Sequence, residues 1–178
     1  MLRELEYPFD SEQILKKSKK MKKQLLSEGS SRIKKKIAVL GGSTTHDIVR
    51  ILELFLLNHG IEPSFYESEF GQYWQDAVFG NDELTDFSPD IIYIHTSNRN
   101  ITFWPEIGNT VQEVDELLDR QYSHYRDMWE KIRERWRCPI IQNNMEYPFY
   151  RLLGNQDCVN ISLSLIHISE PTRQEAIS

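Results

Sequence analysis

The chain has 178 residues, 39% of them hydrophobic and 27% charged, with a formal net charge of −6; the length suits one domain with an added arm, and the hydrophobic content is ordinary for a globular protein. Residues 1–36 hold 11 Lys/Arg against 5 Asp/Glu, while the remainder holds 10 against 22; the basic charge is confined to an N-terminal arm, and the acidic body is a poor partner for nucleic acid. No run approaches the roughly 20 apolar residues that span a bilayer, the first residues lack the apolar core of a signal peptide, and Cys138 and Cys158 stand without any CxxC or Cys/His spacing, so free thiols in the cytoplasm, no membrane partner and no metal site are expected.

In chain order, residues 11–28 read as a helix. Ser11 is a candidate N-cap, and Ile14, Leu15, Met21, Leu25 and Leu26 form a rough apolar stripe. Lys16, Lys17, Lys19, Lys20, Lys22 and Lys23 occupy the other face, which fits either contact with an anionic surface or a partner, or a solvated leader helix that packs on its own domain. Gly29-Ser30-Ser31 then reads as a linker, so residues 1–31 form a basic helical arm and residues 32–160 an α/β domain.

The domain begins with Ile37-Ala38-Val39-Leu40, an apolar run expected of a strand buried on both faces. Gly41-Gly42 ends it. Ile48, Ile51, Leu52, Phe55 and Leu56 follow at helical spacing, and Asn58-His59-Gly60 is a C-terminal stop. Residues 61–67 read as a second strand, which completes one βαβ unit. Phe70, Tyr73, Trp74, Ala77, Val78 and Phe79 suggest a short aromatic helix, followed by a polar loop up to residue 88. Pro89-Asp90 leads into the third strand, Ile91-Ile92-Tyr93-Ile94; residues 110–136 carry long helical periodicity; Pro139-Ile140-Ile141-Gln142 is a fourth strand. This alternation implies a doubly wound, mostly parallel sheet in a flavodoxin-like three-layer arrangement.

In open parallel sheets ligands bind beyond the carboxyl ends of the strands, where strand order reverses. The first strand ends in Gly41-Gly42-Ser43-Thr44-Thr45-His46-Asp47, the third in His95-Thr96-Ser97-Asn98-Arg99-Asn100 and the fourth in Gln142-Asn143-Asn144. Glycine permits a sharp turn after a strand. Ser43, Thr44 or Thr45 can cap the next helix, and the free N–H groups there favour an anion or oxyanion. Ser43 is thus a nucleophile, an anion ligand or only a cap. The loop is neither a Walker loop nor GxGxxG. His95 is a base, a ligand or a hydrogen-bonded structural histidine; His95, Ser97 and Asn143 line the expected pocket. A Ser43–His46 pair is conceivable from spacing, although neighbouring helix-start positions often point apart. Tyr73, Trp74, Phe79 and Trp104 either wall a pocket or pack the core.

Two resemblances attach to these residues. Val39-Leu40-Gly41-Gly42-Ser43-Thr44-Thr45 resembles the first block of SGNH/GDSL hydrolases, and Ile94-His95-Thr96-Ser97-Asn98-Arg99 the block that ends Gly-x-Asn-Asp. That resemblance implies an SGNH-like fold, a nucleophile at Ser43 and an oxyanion donor at Asn98. Gly42 stands where the family has aspartate, Arg99 where it has the final Asp, and no Asp-x-x-His base block occurs before residue 160. More extensively, the run LGGSTTHDIVRILELFLLNHGIEPSFYESEFGQYWQDAVF followed by PDIIYIHTSNRNI resembles the SGNH-like N-terminal region of FkbH-like proteins. These carry a C-terminal phosphatase domain of the haloacid dehalogenase superfamily, subfamily IIIC, and move a glyceryl unit onto an acyl carrier protein. The resemblance implies such a phosphatase half and an acyl carrier protein as partners. It places Mg only in that half, leaving this domain without a cofactor. The Asp-x-Asp-x-Thr signature is absent, and Asp90, Asp115 and Asp127 do not fit it. Finally, LIHISEPTR within residues 161–178 resembles translated sequencing-adaptor read-through, so a non-native tail and a truncated domain are expected.

Overall fold

β1 (Ile33–Gly41) is the hub of the fold, and its burial explains why: Ile37 to Gly41 are all buried, whereas the lysine-rich start is largely exposed. The structure is a computed structural model that describes residues 2–27, 31–106 and 108–146. Gly29 and Ser30 of the expected linker, Cys158, and the adaptor-like segment lie outside the described residues. β1 is longer than its apolar run because Lys34 and Lys36 extend the ladder onto β2 (Ile61–Glu67), pairing with Glu62 and Ser64. On its other side β1 pairs with β3 (Ile91–His95), in a register that sets Gly41 opposite His95. β4 (Ile140–Gln142) pairs with β3. All pairings are parallel and the order is β2-β1-β3-β4, which is the expected doubly wound arrangement.

Helices cover the two faces unequally. α2 (His46–Asn58) lies on one face, where Val49 and Leu56 pack against Ile37, Val39, Phe65, Ile91 and Tyr93. α3 (Tyr73–Val78), α4 (Asp82–Phe87) and α5 (Val111–Trp136) supply the other. There Ala38, Leu40, Ile92 and Ile94 meet Ala77, Leu84, Tyr125, Met128 and Ile132. α1 (Ser11–Ser27) forms a further layer on α2: Ile14, Met21 and Leu25 join Leu54 and Leu57, together with Leu2 and Leu5. The lysine face points outward, apart from Lys22, whose Nζ is 2.6 Å from Glu53 Oε2. Among the described residues no helix is long and apolar enough to cross a membrane.

The stretch expected to be a polar loop before residue 88 instead contains α4. Its one fully buried apolar residue is Leu84, too little to create a readable period. What holds this short helix is Asn81. Its Oδ1 accepts from Leu84 N at 2.6 Å, while its Nδ2 donates to Tyr66 Oη and Asp76 Oδ1, each at 2.8 Å. Buried polar groups require such partners, and here the cap and the buried network are one side chain. α5 starts with a reciprocal Thr110–Glu113 capping box. Glu113 Oε2 accepts from Thr110 N at 2.7 Å and from Thr110 Oγ1 at 3.0 Å, and these bonds hold the exposed Glu113 carboxyl below its usual range.

Candidate functional site

The strand order places a topological switch between β1 and β3. The chain leaves β1 through α2 on one face and leaves β3 through α5 on the other, the arrangement in which open parallel sheets form their ligand crevice at the carboxyl ends. The segments after both strands meet there. Gly42 N donates to His95 O at 2.8 Å, one step beyond the ladder, and Gly41 N donates to Ser68 Oγ at 2.9 Å, tying the end of β1 to the end of β2.

Both glycines are required by close packing. A Cβ on Gly41 would lie 2.5 Å from Thr45 Cγ2 and 2.8 Å from Ser43 O, so the loop coils back over the strand end. A Cβ on Gly42 would lie 2.4 Å from Asn100 Nδ2. Asn100 occupies that space because its Nδ2 donates to Gly42 O at 3.1 Å while its Oδ1 accepts from Ser97 N at 2.9 Å. Asn100 is therefore the side chain that staples the β3 loop to the β1 loop. Asn98 stands at the same edge of the sheet, on the 3-10 turn Asn98–Asn100, but its Nδ2 points to Glu146 O, 3.4 Å away.

Thr45 occupies the N-cap position of α2, yet its side chain makes no capping bond; its Oγ1 donates to Glu67 Oε2 at 3.1 Å. Ser43 does not cap the helix either, and among the described residues its half-buried hydroxyl makes no hydrogen bond. Thr44 is exposed. The first N–H groups of α2 thus keep no side-chain partner, an arrangement that favours a negative group in front of them. His46 opens α2, with a ring 78% exposed and Nδ1 3.7 Å from Glu67 Oε1.

The remaining expected residues are engaged internally. His95 Nδ1 lies 3.2 Å from the hydroxyl of Tyr93, whose ionisation burial makes harder. Ser97 Oγ accepts from Arg99 N at 3.3 Å. Asn143 acts as a side-chain extension of the sheet, its Oδ1 accepting from Thr96 N at 2.9 Å and its Nδ2 donating to Thr96 O at 2.7 Å. Thr96 is fully buried and accepts from Gln142 Nε2 at 3.1 Å, and Gln142 in turn accepts from Trp129 Nε1 at 2.7 Å.

The aromatic residues divide. Tyr73 is in the core. Trp74 stacks on His124 at 4.9 Å between ring centres, and Phe79 is 71% exposed. A shallow cleft of about 380 Å³ lies against α5, lined by Phe103, Asp119, Arg120, Ser123, His124 and Asp127, without Trp104. Burial lowers the basicity of His124. Among the described residues no group of three or more His, Cys, Asp or Glu is arranged to hold a metal ion.

Two residues of the site escaped sequence reasoning. Glu67 reads from the sequence only as the polar end of a strand. Asn100 carries a weak signal, a Ser-x-x-Asn spacing from Ser97 that forms a capping box here, whereas the motif resemblance falls on Asn98.

The fold and its crevice define a layered parallel α/β domain of the Rossmann and flavodoxin kind. Compared with models of known families and with curated proteins, the chain matches none. Its fold is similar to that of the N-terminal part of the protein BF1531 from Bacteroides fragilis, a crystal structure containing a phosphatase domain complexed with Mg, with a TM-score of 0.69 at 16% identity. The similarity covers 92% of this chain and 42% of that one, so this chain spans less than half of its structural neighbour's length. At that identity it is the fold that is shared.

Proposed function

We propose that this domain is the SGNH-like N-terminal part of an FkbH-like protein and binds a glyceryl, acyl or carrier-linked group at the crevice between β1 and β3. The observation that carries this reading is the loop Gly41–Thr45. It presents an unengaged Ser43 hydroxyl beside the uncapped start of α2, at the switch point of the sheet. Gly41 and Gly42, whose N–H groups are held by Ser68 Oγ and His95 O, shape the turn, Thr44 and Thr45 supply backbone N–H groups for an anionic or carbonyl oxygen, Ser43 contacts the bound group, Asn98 turns from Glu146 O to donate from the facing loop, and His95, Ser97 and Asn143 border the pocket. The long motif runs support the family reading, and the fold likeness to part of a phosphatase-containing protein is in keeping with it. The partners of this reading are a phosphatase half, to which the Mg belongs, and an acyl carrier protein, in the cytoplasm.

The test is binding. Titration of isotope-labelled protein with glycerol phosphate or phosphoglycerate is expected to shift the backbone amides of residues 42–47 and to leave those around Phe103 unchanged. Shifts confined to the Phe103–His124 cleft, or none at millimolar ligand, overturn the reading. A second reading, a docking scaffold without a ligand, is favoured by the internal engagement of Asn100, Asn143 and Thr45. Under it Ser43→Ala leaves the activity of an intact parent protein unchanged.

A further inference from the structure

The helices on the two outer sides of the molecule carry opposite charges at the same spacing. α1 is the outermost layer on the α2 side of the sheet, and α5 lies on the other side. With Ile14, Met21 and Leu25 turned onto α2, the outer side of α1 presents Leu15, Lys19 and Lys23, each four residues after the last. All are exposed, Leu15 at 49%. α5 buries Val114, Gln121 and Tyr125 and presents Val111, Asp115 and Asp119 at the same interval. These too are exposed, Val111 at 59%. Side chains four apart stand one above the other on a helix, at steps of ~6 Å along its axis. Each helix therefore carries a ridge of one aliphatic residue followed by two charges of one sign. Among the described residues, Lys19, Lys23, Asp115 and Asp119 make no ion pair or hydrogen bond. Their charged neighbours are engaged: Lys16 with Glu12 at 3.3 Å, Lys22 with Glu53 at 2.6 Å, and Arg120 over the Phe103 ring at 4.4 Å from its centre. Residues 101–119 contain no Lys or Arg that could neutralise the acidic ridge locally.

We propose that the α1 ridge docks on the α5 ridge of a second copy of this chain. The two ridges face away from each other across the layers, so they cannot meet within one molecule. Between copies, helices laid side by side in the same direction set Leu15 against Val111, Lys19 against Asp115 and Lys23 against Asp119. An anionic lipid surface would match the lysines, but it would leave the equal spacing on α5 without a use. The contact joins unlike faces, so each docked copy keeps one free ridge and association runs on into short chains. It covers about two helical turns, well below the roughly 1,000 Å² of a stable interface. Exposed ion pairs add little each and are screened by salt, so the association is weak and depends on concentration and ionic strength. Neither ridge contains a residue of the crevice between β1 and β3, and the inference does not rest on the binding reading.

The experiment is sedimentation equilibrium of the full chain. In about 0.01 M salt, where charges act over ~30 Å, the weight-average mass of a concentrated solution is expected to reach at least about 1.5 times the monomer value. In about 1 M salt, where they act over ~3 Å, it is expected to return to the monomer. Two double variants test the pairing. Lys19→Glu with Lys23→Glu makes both ridges acidic, and Asp115→Lys with Asp119→Lys makes both basic, so each variant alone is expected to stay monomeric at low salt. Mixed in equal amounts they should associate again, a recovery that neither general stickiness nor a structural role for these side chains produces. The four residues are exposed, so the variants are expected to fold, and circular dichroism checks this. A parent chain that is monomeric at low salt, association that persists in high salt, or a mixture that stays monomeric overturns the proposal. A monomer that instead binds phosphatidylserine vesicles, and loses that binding with Lys19→Glu and Lys23→Glu, also overturns it and gives the α1 ridge to a lipid surface.

Discussion

At the scale of single residues, the crevice is specified by what cannot be added to it. Gly42→Ala places a methyl group within 2.4 Å of an Asn100 amide that is held by two hydrogen bonds. Overpacking of this kind costs about 1–3 kcal/mol; urea denaturation is expected to show that loss, with the amide signals of residues 97–100 displaced. Ser43→Ala behaves differently. Its hydroxyl caps nothing, so the same measurement should show a change within about 0.5 kcal/mol, as for an ordinary surface substitution. A loss of 1 kcal/mol or more (on the order of a lost cap) would mean that Ser43 holds the helix after all. The two glycines and the serine were legible in the sequence, because a buried strand followed by Gly-Gly and hydroxyls has few physical uses. Asn100 and Glu67 were not, since their roles depend on which residues three-dimensional packing brings opposite them.

At the scale of elements, short polar segments are held by buried networks. Asn81 caps α4 and also satisfies Asp76 and Tyr66, both of them buried. Asn81→Ala therefore removes a cap, worth about 1 kcal/mol, and leaves buried acceptors unpaired, about 1–3 kcal/mol more; a lowered midpoint in urea checks this. The α3–α5 contact is expected to weaken when His124 is protonated. Burial depresses the His124 pKa below the ordinary 6.5, while Asp127 opposes the shift weakly. A histidine harder to protonate in the folded chain favours unfolding on protonation. Stability from this residue is therefore complete above pH 6.5 and declines as pH falls through that unfolded-state value toward the folded one. His124→Phe, which keeps an aromatic ring on Trp74, is expected to flatten this slope in unfolding curves taken between pH 7.5 and pH 5; an unchanged slope would assign it to other groups.

At the scale of the whole molecule, the basic arm is part of the fold. α1 buries Ile14, Met21 and Leu25 on α2, and Leu25, fully enclosed, should cost about 3 kcal/mol on truncation to alanine. A matching fall in the thermal midpoint would confirm that this layer contributes to global stability, whereas local fraying without such a fall would make it an appendage. The α2 face of the sheet is less completely covered over β4, where Ile141 is 54% exposed.

The sequence by itself determined the alternation of strands and helices, the layer class and the glycine turn that ends β1. Hydrophobic period and glycine placement are local properties, written within a few residues of each element. Tertiary structure alone decided the strand order, the choice of α2 as the surface on which α1 packs, the turn of Thr45 and His46 toward Glu67, and the Asn100 staple. Each of these joins segments far apart in the chain, and the energy that selects them resides in contacts that exist only once the sheet has closed its register.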